Sequence, residues 1–134
     1  MRPYSTVIFD LDGTLLDTLQ DLRDSTNYAL ALHNLPTRSL DEIRRFVGNG
    51  VGLLIHRSVP EGTPADLEAQ CLADFRAHYL LNMEHRTAPY DGVLELLDGL
   101  NKAGIRLAVV SNKFDGAVKG LCASYFGDRV RVAI

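Results

Sequence analysis

Asp10 and Asp12 stand two residues apart directly after the apolar run Val7-Ile8-Phe9, and Gly13 and Thr14 follow them. Side chains i and i+2 of an extended chain point the same way. Both carboxylates can therefore face one crevice at the carboxyl end of a strand, where open α/β sheets bind ligands. One carboxylate can then attack phosphorus while the other moves the proton. Gly13 lets the backbone turn closely around an anion. The same residue types also build plain turns, and that reading stays open for the motif alone. A calcium loop is excluded, because it wants Asp or Asn at its fifth position and Gly at its sixth. Counted from Asp10, those positions hold Thr14 and Leu15.

A second polar cluster, Ser111-Asn112-Lys113, follows the apolar run Ile105 to Val110. A hydroxyl and an amide there can donate hydrogen bonds to a phosphate. Ser and Asn are also favoured helix N-caps, and the two roles agree because a helix N-terminus attracts anions. Lys113 leaves two readings, contact with a substrate carboxylate or a solvated side chain.

The elements that must position these residues read as a βαβ series. A strand is expected at about 5–10, helices at about 91–103 and 115–125, and strands at about 105–111 and 129–134. Val7-Ile8-Phe9 is expected to be buried on both sheet faces. In the helix at 91–103, Val93, Leu94, Leu96, Leu97 and Leu100 form an apolar face, and Gly104 suits a positive-φ C-terminal stop. Such a pattern builds a parallel sheet covered by helices. Met1-Arg2-Pro3-Tyr4 reads as a short lead-in to the first strand.

Between the strands, about residues 18–88 are mostly helical and contain no convincing strand. Leu19, Leu22, Thr26, Leu30 and His33 mark a first helix. Ser39-Leu40-Asp41-Glu42 is a capping box for a second. Thr63-Pro64 opens a third, with Pro64 at the first helical position. Gly48-Asn49-Gly50-Val51-Gly52 has the wrong glycine spacing for a dinucleotide loop and follows a helical stretch, so it reads as an inter-helix loop. The basic pair Arg44-Arg45 reads as a solvated face or as a contact for an anion.

The 134 residues fit one domain or two small lobes, with 46% hydrophobic and 23% charged residues. A net charge of −3 gives no reason to expect nucleic-acid or membrane binding. No apolar run reaches a membrane span and the N-terminus lacks a signal peptide's apolar core, so a cytoplasmic location is expected. Cys71 and Cys122 have no metal-ligand spacing and are expected to be reduced and packed. His33, His56, His78 and His85 form no pair at ligand spacing and are expected to be solvated or to lie on helix surfaces.

Asp10-Leu11-Asp12-Gly13-Thr14-Leu15-Leu16-Asp17 resembles the first motif of the haloacid dehalogenase-like phosphatases, and Ser111-Asn112 after its strand resembles the second. Phe46 to Val51 and Ala88 to Val93 look most similar to the phosphoglycolate phosphatase branch. The resemblance implies an α/β fold: a Rossmann-like parallel sheet of about three strands, incomplete, with an inserted α-helical cap. The core would be 1–17 with 89–134 and the cap 18–88. It further implies a phosphatase acting on a small phosphorylated metabolite such as 2-phosphoglycolate through an aspartyl-phosphate intermediate. Asp10 would be the nucleophile and Asp12 the general acid/base. Mg²⁺ would be held by the Asp10 carboxylate and the Asp12 backbone carbonyl. Leu11, Gly13, Thr14, Ser111, Asn112 and Lys113 would bind substrate or shape the phosphate loop, with the Thr14 hydroxyl orienting the carboxylates. The loop around Gly48 would help to choose substrate.

Family members carry a Lys and then an acidic motif after the third strand, and neither is found up to Ile134. The resemblance therefore implies a truncated form with an exposed first-strand edge open to self-association. A phosphate-binding fragment without turnover and a sugar phosphomutase of the same fold are the alternative readings.

Overall fold

The computed structural model describes residues 5–134, and the lead-in expected over Met1-Arg2-Pro3-Tyr4 lies outside them. In chain order the elements are β1 (Thr6–Phe9), β2 (Leu16–Asp17), α1 (Leu19–Leu32), α2 (Leu40–Phe46), α3 (Val51–Ser58), α4 (Ala65–Asn82), β3 (Ala88–Pro89), α5 (Val93–Lys102), β4 (Arg106–Val109), α6 (Asp115–Tyr125), a 3-10 turn (Gly127–Arg129) and β5 (Val132–Ala133). They divide into two compact units. One is built from the described residues up to Asp17 together with Ala88–Ile134, the other from Thr18–Thr87.

The first unit is an α/β layer. Its sheet has the order β1-β4-β5, all parallel, with Val7 level with Leu107, Phe9 with Val109 and Ala108 with Val132. Level residues of a parallel pair share a face. One face, carrying Val7, Phe9, Leu107 and Val109, is covered, with Leu107 and Val109 almost fully buried. The other face carries Ile8 and Val132, which are 65% and 50% exposed. The expectation that Val7-Ile8-Phe9 is buried on both sides is therefore corrected. The run is apolar throughout, but among the described residues its sheet is covered on one face only. β1 is also an edge strand, paired with β4 alone among the described strands.

Helix α5 sets Val93 and Leu97 into the core, while Leu96 is 49% exposed, outside the expected apolar face. The helix packs over β4 and the 3-10 turn, and Leu96 lies on a flank that these elements do not cover. Gly104, at φ 80°, stops the helix in the left-handed region that suits a glycine. The last strand is shorter than expected because residues 127–129 curl into the 3-10 turn, with the Arg129 N–H donating to Phe126 O at 3.0 Å. A two-residue antiparallel ribbon, Leu16 with Pro89 and Asp17 with Ala88, was not expected. Pairs that short carry no periodicity to read.

The second unit is a bundle of four helices. α1 packs against α4, burying Leu22, Ala29 and Leu30 together with Cys71, Phe75 and Tyr79. Phe75 and Tyr79 stack with centroids 5.4 Å apart. The capping box at α2 forms as the sequence implies: the Glu42 N–H donates to Ser39 Oγ, and the Ser39 N–H to Glu42 Oε1. Two local expectations change. Val51 and Gly52 belong to the first turn of α3, leaving only the residues up to Gly50 as loop, because Leu54 and Ile55 give that segment a buried stripe. Pro64 is the N-cap of α4, one residue before the helix, and Thr63 Oγ1 donates to Pro60 O at 2.6 Å.

Asp21 lies in the first turn of α1 and is only 2% exposed. It accepts hydrogen bonds from the Arg86 N–H, the Thr87 N–H and Thr87 Oγ1. The carboxylate thus ties the end of the helical unit to its beginning, and it stands at the end of α1 where the helix dipole favours an acidic residue.

Candidate active site

The site is assembled by the parallel pairing of β1 and β4. Phe9 and Val109 are in register, and the Val110 N–H donates to Phe9 O at 2.9 Å. Both chains then leave the sheet at the same end. Asp10 to Thr14 extends from one strand and Ser111 to Lys113 from its neighbour. Strand polarity alone thus brings together two segments about a hundred residues apart.

Leu11 anchors the first loop. Its side chain is fully buried, and its carbonyl accepts the N–H groups of Thr14, Leu15 and Leu16. Gly13 takes φ 77° and donates its N–H to Leu16 O at 2.9 Å. That turn lifts Asp10 and Asp12 out at the sheet end with different surroundings. Asp10 is exposed, and its Oδ1 accepts the Leu11 N–H at 2.8 Å. The Asp12 side chain is 23% exposed, and its Oδ1 lies 3.0 Å from Lys113 Nζ.

Lys113 is the main departure from the sequence reading. Its side chain is 2% exposed and ion-paired to Asp12, so the solvated alternative is wrong. The Lys113 N–H donates to Ser111 Oγ at 3.1 Å, and the Ser111 N–H to Ile134 O at 2.9 Å. Ser111 is half-buried and Asn112 exposed at the same strand end. They do not directly cap α6, whose N-cap is Phe114.

Thr14 also departs from expectation. It is exposed, and among the described residues its hydroxyl bonds neither carboxylate. It contributes its N–H to the Leu11 carbonyl instead. The N–H groups of Leu11 and Gly13 have internal acceptors. An anion binding there must exchange with those acceptors.

Among the described residues no group of three or more His, Cys, Asp or Glu side chains is placed to hold a metal ion. The oxygens offered at the sheet end are carboxylate and carbonyl, the hard donors that suit Mg²⁺. A cleft of about 510 Å³ lies in the helical unit. Its basic side chains are already engaged: Arg38 with Ser58 O and Glu42, Arg57 with Phe46 O and Asn49, and His56 with Glu68. The remaining histidines are likewise partnered, His33 with Asp74, His78 with Ser25 and His85 with Asn82. His33 and His78 are half-buried, on the helix surfaces where α1 and α4 pack. Arg44 pairs with Asp41 on the exposed face of α2.

Comparison with known proteins agrees with this geometry. The sequence model of the haloacid dehalogenase-like hydrolases matches residues 7–122, and the chain belongs to that family. Among curated relatives, the phosphoglycolate phosphatase of Agrobacterium fabrum is 40% identical over 117 residues, covering 84% of this chain and 50% of that protein. The phosphoglycolate phosphatase of Caulobacter vibrioides is 41% identical over 112 residues, covering 81% and 47%. The crystal structure of a predicted phosphoglycolate phosphatase from Haemophilus somnus superposes with a TM-score of 0.88 at 30% identity, covering 98% of this chain and 62% of that one. The chain thus spans about half the length of the curated relatives it matches.

Proposed function

We propose that this chain carries the nucleophile and acid/base half of a phosphatase site for a small organic phosphate monoester, with 2-phosphoglycolate as the leading candidate. The observation that carries this reading is the unequal pair at the sheet end: Asp10 exposed, Asp12 held by a buried lysine. The phosphoglycolate phosphatases among its relatives support the substrate class. In the proposed reaction an Asp10 carboxylate oxygen attacks phosphorus, and the bond to the substrate oxygen breaks as Asp12 protonates it. Asp12 then takes a proton from water, whose oxygen attacks the aspartyl phosphate, releasing phosphate and restoring Asp10.

Ser111 and Asn112 would donate hydrogen bonds to the phosphate, and the loop at Leu11 to Thr14 would wrap it, with Gly13 supplying the turn. Mg²⁺, which this family generally uses, would be held by the Asp10 carboxylate and the Asp12 backbone carbonyl, completed by water and phosphate. When bound, it would neutralise charge on the transferring phosphoryl group. In this reading the Asp12 side chain contacts Lys113 and its backbone carbonyl, not its carboxylate, would meet the metal.

The test is phosphate release from 2-phosphoglycolate and from an aryl phosphate, with and without Mg²⁺, comparing the chain with Asp10→Asn. Metal-dependent turnover that disappears in the variant is expected. A folded chain with no turnover on either substrate would overturn catalysis by this chain and favour phosphate binding alone.

A further inference from the structure

We infer that Lys113 is the positioning residue for Asp12, holding its carboxylate in one orientation at the carboxyl end of the sheet. The inference rests on the proposed reading of Asp12 as the proton-transfer group. It begins with an anomaly of burial. Lysines ordinarily lay their stems on the surface and keep the ammonium in water, as the exposed Lys102 and Lys119 do. Lys113 has only 2% of its side chain exposed. A buried ammonium is costly unless a partner of opposite charge compensates it, and Asp12 Oδ1 at 3.0 Å is such a partner.

The base from which Lys113 reaches is itself fixed. Its N–H is tied to Ser111 Oγ, and the Ser111 N–H continues the sheet bonding to Ile134 O. A buried stem on an anchored backbone delivers the ammonium to one place. An aspartate side chain otherwise samples several staggered rotamers, and proton transfer needs the carboxyl within hydrogen-bond reach of the reacting oxygen. Asp10 is treated differently: it is exposed, and its bonded oxygen is held by the next residue's own N–H. The structure thus separates a carboxylate presented outward from one held in place.

The experiment combines two readouts on the full chain. In the wild type, NMR should show a single χ1 rotamer for Asp12 from its Hα–Hβ couplings, and a hydrogen-bond coupling between Lys113 Nζ and Asp12 Cγ. Lys113→Met should average the Asp12 rotamers, and Lys113→Arg should restore one. Absence of the wild-type coupling, or an Asp12 that keeps one rotamer in Lys113→Met, overturns the inference. The wild-type measurement decides the matter even if that variant does not fold.

With an aryl phosphate, Lys113→Met should lower kcat by roughly a hundredfold and leave KM nearly unchanged. A raised KM at constant kcat would instead make Lys113 a substrate ligand only and overturn the positioning role. A wild-type chain without turnover counts against the phosphatase reading, and the couplings still decide the role of Lys113.

Discussion

Replacing Asp21 should uncouple the end of the helical unit from its beginning. Asp21 Oδ2 accepts three hydrogen bonds, from the Arg86 N–H at 2.9 Å, the Thr87 N–H at 2.9 Å and Thr87 Oγ1 at 2.8 Å. Thr87 is 7% exposed and Asp21 2%, so water is poorly placed to take over. Asp21→Ala leaves those donors without their acceptor, each unsatisfied buried donor costing about 1–3 kcal/mol. Partial relaxation and non-additivity bring the sum to about 3 kcal/mol. At this chain length that corresponds to a fall in Tm of roughly 10 °C. Asp21→Asn keeps one acceptor oxygen but loses the charge and sets an NH₂ group against donors. Its cost is about half as large.

Circular dichroism melts give the global effect, and amide hydrogen exchange at Arg86 and Thr87 gives the local one. In a Thr87→Val background, Asp21→Ala should cost about 1 kcal/mol less, because one donor is already gone. Melts within a degree of wild type, with both amides still protected, would show that the clamp contributes nothing.

Burial pushes the Cys122 thiol up to about 11 from an ordinary 9.0, and burial followed by the charges of Asp74 and Glu68 raises Cys71 as well. A raised folded-state value means that this contribution to stability is whole below the unfolded value and is lost as pH rises. Tm should therefore fall as pH climbs from about 9 towards 11, and Cys122→Ala should flatten that limb. We also propose that the chain self-associates through the open edge and uncovered face of β1, where Ile8 is 65% exposed. Light scattering should show the mean mass rising with concentration, and Ile8→Lys should suppress the rise. A monomer at all concentrations would count against it.

Much of the fold was legible because local signals and strand polarity agree. The alternation of apolar strands and helices in 91–134 implies a parallel sheet, and the sheet is parallel. The Ser39 capping box and the Gly104 stop were readable because their partners lie within one helical turn. The Asp10–Asp12 spacing named the carboxylates and the chemistry they are suited to, since side-chain direction along a strand is local geometry. What spacing along one strand does not contain is a partner on another. That Asp12 is paired to Lys113, that Asp10 remains exposed, and that Thr14 orients neither carboxylate follow from the depth at which each side chain lies once β4 sits beside β1. Likewise Ile8 and Phe9 are equally apolar in sequence, and only the placement of covering layers makes one exposed and the other sheltered. Burial and ion pairing are properties of neighbours brought together across the fold, so no local pattern in the chain specifies them.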